Sequence, residues 1–264
     1  MPKTNGYHKK IDVTKYTANG PESAEASIII ESPMTIFVNG EELVTLLCLG
    51  RGLEYLTAGF LWSENVISSK SEIDSIVPDY GRGTVQVKIA KDNAFIKDLV
   101  FKRLVTTACG KGSSFYTIDE TAAKLPENTA EVLFYAADII SLVAEFENMS
   151  ELHEKTRGVH SALLARGREK VIFHDDIGRH NAIDKVLGHA LLTDVPVSDK
   201  MVVSSGRISS EVLLKVAKKG VPVLVSRAQP TDLAVDLADR LGITLVGFVR
   251  NGAMNVYTHP HRIS

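Results

Sequence analysis

Short runs of uninterrupted apolar residues alternate with amphipathic segments through the second half of the chain, and this alternation constrains the fold most. VHSALLAR and EKVIFH flank Gly167 as a hairpin, and NAIDKVLGHALL reads as a helix burying Ile183, Val186, Leu187, Ala190 and Leu191. MVVSS is a strand, SEVLLKVAKK a helix closed by Gly220, and VPVLVS another strand. TDLAVDLADRL is a helix running from an N-cap at Thr231 to Gly242, and ITLVGFVR and AMNVYTH complete the chain. Strands apolar on both faces, separated by helices with one apolar stripe, predict an α/β fold in which a parallel sheet is covered on both sides. A long helix over residues 129 to 147 leads into it, carrying Val132, Leu133, Ala136, Ile139, Ile140, Val143 and Ala144.

The first half has a different pattern. ASIIIE and MTIFV are β-branched runs, and Asn39-Gly40 joins MTIFV to ELVTLLCL, a strong hairpin signal because both residues accept positive φ. Cys48 lies inside the second run and reads as a small apolar core residue. GLEYLTAGFLWSEN is a helix with Leu53, Leu56, Phe60 and Leu61 on one face, and GTVQVKIA and AFIKDLV are further strands. The chain therefore divides into a loosely ordered arm (1–24), a smaller α+β domain (25–105), a flexible connecting loop (106–128) ended by Pro126-Glu127-Asn128, and the α/β domain (129–264).

With 44% hydrophobic residues in 264, the chain can bury the core of one large domain or two ordinary ones. A net charge of −2 gives no general attraction to nucleic acid or anionic membrane, so an anionic ligand has to be held by a local site. No apolar run approaches a membrane span, and the opening MPKTNGYHKK lacks the apolar centre of a signal peptide. Two cysteines are too few for a disulfide scaffold, and a reducing, cytoplasmic setting is expected.

Three polar clusters follow expected strands: His174-Asp175-Asp176-Ile177-Gly178-Arg179-His180-Asn181, Ser204-Ser205-Gly206-Arg207-Ile208-Ser209-Ser210, and Ser226-Arg227-Ala228-Gln229-Pro230-Thr231. In the first, Arg179 and His180 suit an anion at a helix start, with Asp176 placed to orient Arg179. In the second, Gly206 admits a ligand to the backbone, Arg207 offers a planar fork, and the serines cap the next helix. One such loop is ordinary polar punctuation, but three at equivalent places converge on one rim and predict a phosphate-bearing ligand. None matches GxGxxG or the Walker pattern. Gly158-Val159-His160-Ser161-Ala162 stands where a zinc deaminase carries H-x-E, but Ala162 replaces the glutamate and no cysteine follows residue 109, so no metal is expected. His160 fits either a ligand contact or a buried hydrogen bond. TTACGKGSS sets Cys109 among small residues with Lys111 nearby, which suits a reactive thiolate and equally an ordinary loop.

TAGFLWSENVI, TTACG, GVHSALL, DDIGRHNAIDKVLG, SSGRISSEVLLKVAKKGVPVLVS, QPTDLAVDLA and ITLVGFVRNGAMNVYTHPHRI together resemble the FdhD/NarQ family over most of the chain from about residue 40. The resemblance implies a sulfur carrier that takes persulfide sulfur from a cysteine desulfurase. It passes the sulfur to the molybdenum or tungsten bis-molybdopterin guanine dinucleotide cofactor, destined for the catalytic subunit of formate dehydrogenase. It also implies a homodimer, and a C-terminal three-layer α/β/α domain similar to cytidine deaminase with the zinc site lost. Cys109 aligns with the family's persulfide cysteine. Phe248, Val249, Arg250, Asn251, Gly252 and Ala253 align with its cofactor-contacting segment, beside the loops at 176–181 and 205–210. Guanine nucleotides such as GDP are the expected analogues. Many relatives carry Cys-x-x-Cys where this chain has Cys109-Gly110-Lys111-Gly112, and a cofactor chaperone that moves no sulfur is the alternative.

Overall fold

A computed structural model describes residues 6–91 and 115–264. Cys109 with its TTACGKGSS segment, and the expected strand AFIKDLV, lie outside the described residues.

The expected loose arm is instead an antiparallel ribbon of β1 (His8–Thr17) and β2 (Gly20–Ile29). Its logic is period-two alternation hidden by charge. Ile11 and Val13 stand opposite Ala26 and Ala24 on one face, while Lys10–Glu25 and Lys15–Glu22 ion pairs bridge the strands. Gly20 takes φ +108 at the connection.

A four-stranded sheet of order β4-β3-β6-β5 follows, from β3 (Ser32–Val38), β4 (Glu41–Cys48), β5 (Ile73–Asp79) and β6 (Thr84–Ile89). Asn39 and Gly40, at φ 50 and 87, turn β3 into β4 as the sequence predicts. Helix α1 (Leu53–Ser63) lies on this sheet, and Leu53, Leu56, Phe60 and Leu61 pack against Met34, Ile36 and Val87. Cys48 is fully buried in that core, as expected, and burial pushes its thiol pKa up.

Within the expected 106–128 connecting loop the structure holds a helix, α2 (Phe115–Ala122), which places Ile118 and Ala122 in the C-terminal core. The expected long helix is shorter: α3 spans Ala136–Phe146. Residues 128–134 are held extended because the buried Arg262 guanidinium donates to the carbonyls of Asn128 (2.7 Å) and Ala130 (2.9 Å), and Phe134 bridges Ile263. A short helix, α4 (Glu151–Thr156), precedes the main sheet.

That sheet has order β12-β11-β10-β9-β7-β8, built from β7 (His160–Arg166), β8 (Glu169–Asp176), β9 (Met201–Ser204), β10 (Val223–Ser226), β11 (Thr244–Arg250) and β12 (Ala253–Val256). In this sheet β9, β10 and β11 run parallel to one another; β7 runs against both β8 and β9, and β12 against β11. The expectation of a parallel sheet is thus corrected to a mixed one, because two hairpins flank the parallel centre. Helices α5 (Arg179–Leu192), α6 (Ser210–Ala217) and α7 (Asp232–Arg240) cover one face, and α3 covers the other. The arrangement is three-layered.

Helices α1 and α5 join the two sheets. A Cβ on Gly59 would lie 1.7 Å from the Asp184 carbonyl oxygen, and one on Gly188 would lie 2.0 Å from that of Tyr55, so backbone meets backbone. Beside this crossing, Lys215 Nζ donates to Asp184 (3.0 Å), Ser63 Oγ (2.8 Å) and Glu64 (3.1 Å) in a buried network.

Candidate functional site

Strand direction decides what gathers at one edge of the main sheet. β9 and β10 end there at Ser204 and Ser226, and the reversed β7 begins there at His160, in register with Asp176 at the end of β8. The three polar clusters therefore do meet. Their loops are tied together: Ser205 N donates to Ser161 O (3.0 Å), Ser226 Oγ to Gly206 O (2.8 Å) and Thr231 N to Ile208 O (3.0 Å).

His160, Arg179, Ser205 and Gly206 form the centre. Ser205 Oγ accepts from Ser161 N at 2.9 Å and lies 3.3 Å from His160 Nδ1. A Cβ on Gly206 would lie 2.9 Å from Cβ and Cδ of Arg179 and 3.2 Å from His160 Nδ1, so only glycine lets the three loops close together. Arg179 opens α5, whose cap residue Gly178 supplies no side chain and whose first turn has no acidic residue. Its buried Nε has no hydrogen-bond partner among the described residues, a cationic donor left unmatched at a helix start. Burial first, then Arg179 and His153, push the His160 pKa down, keeping its ring neutral.

An adjoining cavity of about 360 Å³ is lined by His153, Arg157, His160, Ser161, Ser205 and Arg227, among others. Arg157 and Arg227 bring positive charge to this wall, Glu147 pairs with Arg227 across it, and Phe146, Val159 and Ile177 add apolar surface. Sequence reasoning missed His153 and Arg157 because ELHEKTRG carries no ligand signature. They join the site only because α4, capped by Ser150 Oγ accepting from His153 N (3.0 Å), ends beside β7.

Other expected residues stand elsewhere. His180 faces a separate cavity of about 300 Å³ with Phe60, Glu64, Ile118, Glu211 and Lys215, and burial, then Arg179, lower its pKa to about 4. Asp176 does not orient Arg179. Fully buried, it accepts from Lys185 Nζ (2.5 Å), Asn181 Nδ2 (2.9 Å) and Leu49 N (3.2 Å), so its carboxylate is committed inside the protein. Asn181 also donates to Leu47 O at 2.8 Å. Ser209 sits at the N-cap of α6, but its Oγ does not cap the helix and has no partner among the described residues. Arg207 is exposed.

The 248–253 segment forms the β11–β12 turn, one strand further along the same edge, where Phe248 N donates to Ala228 O at 3.1 Å. Phe248, Asn251 and Gly252 take φ 58, 52 and 75, and the Arg250 guanidinium stacks on the Phe248 ring at 3.5 Å. Gly252 and Ala253 are exposed, whereas Val249 turns inward to the core under α3. Among the described residues, no three His, Cys, Asp or Glu side chains converge to hold a metal ion, and no helix is long and apolar enough to cross a membrane.

A mixed three-layer α/β sheet with a cavity lined by Arg157, Arg227, His153 and His160 at one strand edge defines an α/β protein with a pocket at the ends of its strands. Comparison with known proteins makes the class specific. The FdhD/NarQ family model matches residues 29–264, and the chain belongs to that family. It is 40% identical over 252 residues to the sulfur carrier protein FdhD of Bacillus subtilis (strain 168), covering 96% of each chain. It is 43% identical over 257 residues to the sulfur carrier protein FdhD of Geobacillus kaustophilus (strain HTA426), covering 97% of each. A crystal structure from Desulfotalea psychrophila, described as a formate dehydrogenase accessory protein, superposes with a TM-score of 0.79 at 28% identity, covering 98% of this chain and all of that one.

Proposed function

We propose that this protein is a sulfurtransferase that carries sulfur on Cys109 to a phosphorylated pterin cofactor held at the strand edge, in the service of formate dehydrogenase. The relatives named as sulfur carriers support the carrier role. The observation that carries the binding half is the unmatched Arg179 Nε beside His160 and the glycine cradle of Gly206, with the cationic cavity adjoining.

The Cys109 thiolate attacks the outer sulfur of a cysteine desulfurase persulfide, the S–S bond of the donor breaks, and the donor's thiolate leaves. Release of the carried sulfur as sulfide takes two electrons from a thiol reductant, which departs as a disulfide and returns Cys109 to the thiol. The client is molybdenum or tungsten bis-molybdopterin guanine dinucleotide. Its diphosphates meet Arg179, Ser205 and Gly206, with Arg207 and Arg250 at the outer edge, and GDP is the analogue to use. The receiving partner is the catalytic subunit of formate dehydrogenase, the carrier works as a cytoplasmic homodimer, and the C-terminal sheet is a zinc-free counterpart of cytidine deaminase.

Gly112 in place of a second cysteine favours one other reading, a chaperone that binds cofactor without moving sulfur. Incubation with a desulfurase and cysteine, followed by intact mass measurement, separates the two. Gain of one sulfur that disappears in Cys109→Ser and persists in Cys48→Ser supports transfer; no gain with GDP binding intact leaves the chaperone.

A further inference from the structure

Asp175 and Asp176 are consecutive on β8, so their side chains leave on opposite sides of the strand, and both are buried. Asp176 binds the end of β4 and the start of α5. Asp175 faces elsewhere. One of its oxygens pairs with the Arg51 guanidinium, and the other accepts from Ser150 Oγ at 2.7 Å.

Ser150 Oγ is also the N-cap of α4, accepting from His153 N at 3.0 Å. A hydroxyl that donates to a fixed carboxylate and accepts from a fixed amide has a single rotamer. That rotamer sets the start of α4, and α4 presents His153 to the anion cavity, with Arg157 at its αL exit. The other end of the chain of contacts is Arg51, which leads into α1 of the first sheet's domain and does not line the cavity.

We propose that Asp175, clamped by Arg51, is a positioning residue for the anion cavity, acting through Ser150 on the wall that carries His153 and Arg157. Loss of Arg51 leaves a buried carboxylate without its cation, and Ser150 loses an acceptor held in place. The helix cap loosens and the cavity loses its arranged donors, although no cavity residue has changed. This inference rests on the anion-binding reading given above.

Calorimetric titration of inorganic pyrophosphate into the full chain tests it, with melting temperature measured in parallel. Arg51→Ala is expected to weaken pyrophosphate binding about fivefold or more. Arg51→Lys is expected to recover most of that loss. Arg51→Ala combined with Ser150→Ala binds no more weakly than Ser150→Ala alone, because both act along one path. Unchanged affinity in Arg51→Ala, with a lowered melting temperature, makes the contact purely structural and overturns the proposal. Additive losses in the double variant overturn the path through Ser150. Failure of the unmodified protein to bind pyrophosphate overturns the anion site itself, a result distinct from either.

Discussion

Gly59 on α1 and Gly188 on α5 stand against each other's helix backbones, with the Gly59 amide nitrogen 2.4 Å from where a Gly188 Cβ would lie. The two helices cross at a distance no side chain allows. Gly188→Ala therefore forces them apart or bends one, and a loss of about 1–3 kcal/mol is expected in urea unfolding. An unchanged midpoint would show that the joint yields without cost.

Lys215 is the only cation that bonds both carboxylate oxygens of the buried Asp184 among the described residues. Lys215→Met keeps much of the volume but strands Asp184 as an uncompensated carboxylate, and is expected to cost about 3–5 kcal/mol. Asp184→Asn in the Lys215→Met background should recover part of that loss.

His174 Nε2 and His189 Nδ1 share a hydrogen bond of 2.9 Å beneath the stacked Tyr55 ring. Burial, then His189, lower the His174 pKa from 6.5 to about 4. A base whose folded pKa is depressed binds its proton more readily when unfolded, so its stability contribution is complete above 6.5 and falls away as pH drops toward about 4. Melting temperature measured between those limits should decline with acidity, and His174→Gln should flatten the slope.

Gly206 packs against Arg179 and His160, so Gly206→Ala displaces both. GDP affinity is expected to fall about tenfold, as for loss of a well-placed charged hydrogen bond. The melting temperature should fall too, since the Arg179 Cβ is fixed to the α5 backbone, so affinity is compared at a temperature where both proteins are folded. Equal affinity in both proteins would remove this cradle from the binding site.

Cys48 is fully buried with a raised thiol pKa, and alkylating reagents require an exposed thiolate. Brief iodoacetamide treatment of the native protein should therefore spare Cys48, which becomes labelled in urea. Peptide mass mapping reads the result directly.

Much of the second sheet was legible because each strand is apolar throughout and each helix amphipathic, and the Asn39-Gly40 turn announced its hairpin. Strand direction was not legible. Nothing in MVVSS or HSALLAR states whether they run together, and the reversal of β7 follows from its hairpin partner occupying the sheet edge. The β1–β2 ribbon was hidden because its alternation is carried by small residues among charges. Within the site, Arg179, His160 and Gly206 were readable from loop chemistry. His153 and Arg157 were not, since nothing in ELHEKTRG shows that the Ser150 cap of their helix also bonds Asp175, far off in sequence. The placement of His180 in the second cavity and of Asp176 inside the protein follows from helix phase and burial, which polarity alone does not encode.

The β7–β8 hairpin works as a gauge measured from its far turn. His160 faces Asp176 because the pairing is counted back from Gly167, with one irregularity at Leu164/Ala165. Adding or deleting a single residue near that turn, at the opposite end of the hairpin from the ligand edge, would exchange the two faces of a strand. His160 and Ser161 would then trade places, dismantling the cationic pocket from a distance while every one of its residues was still present.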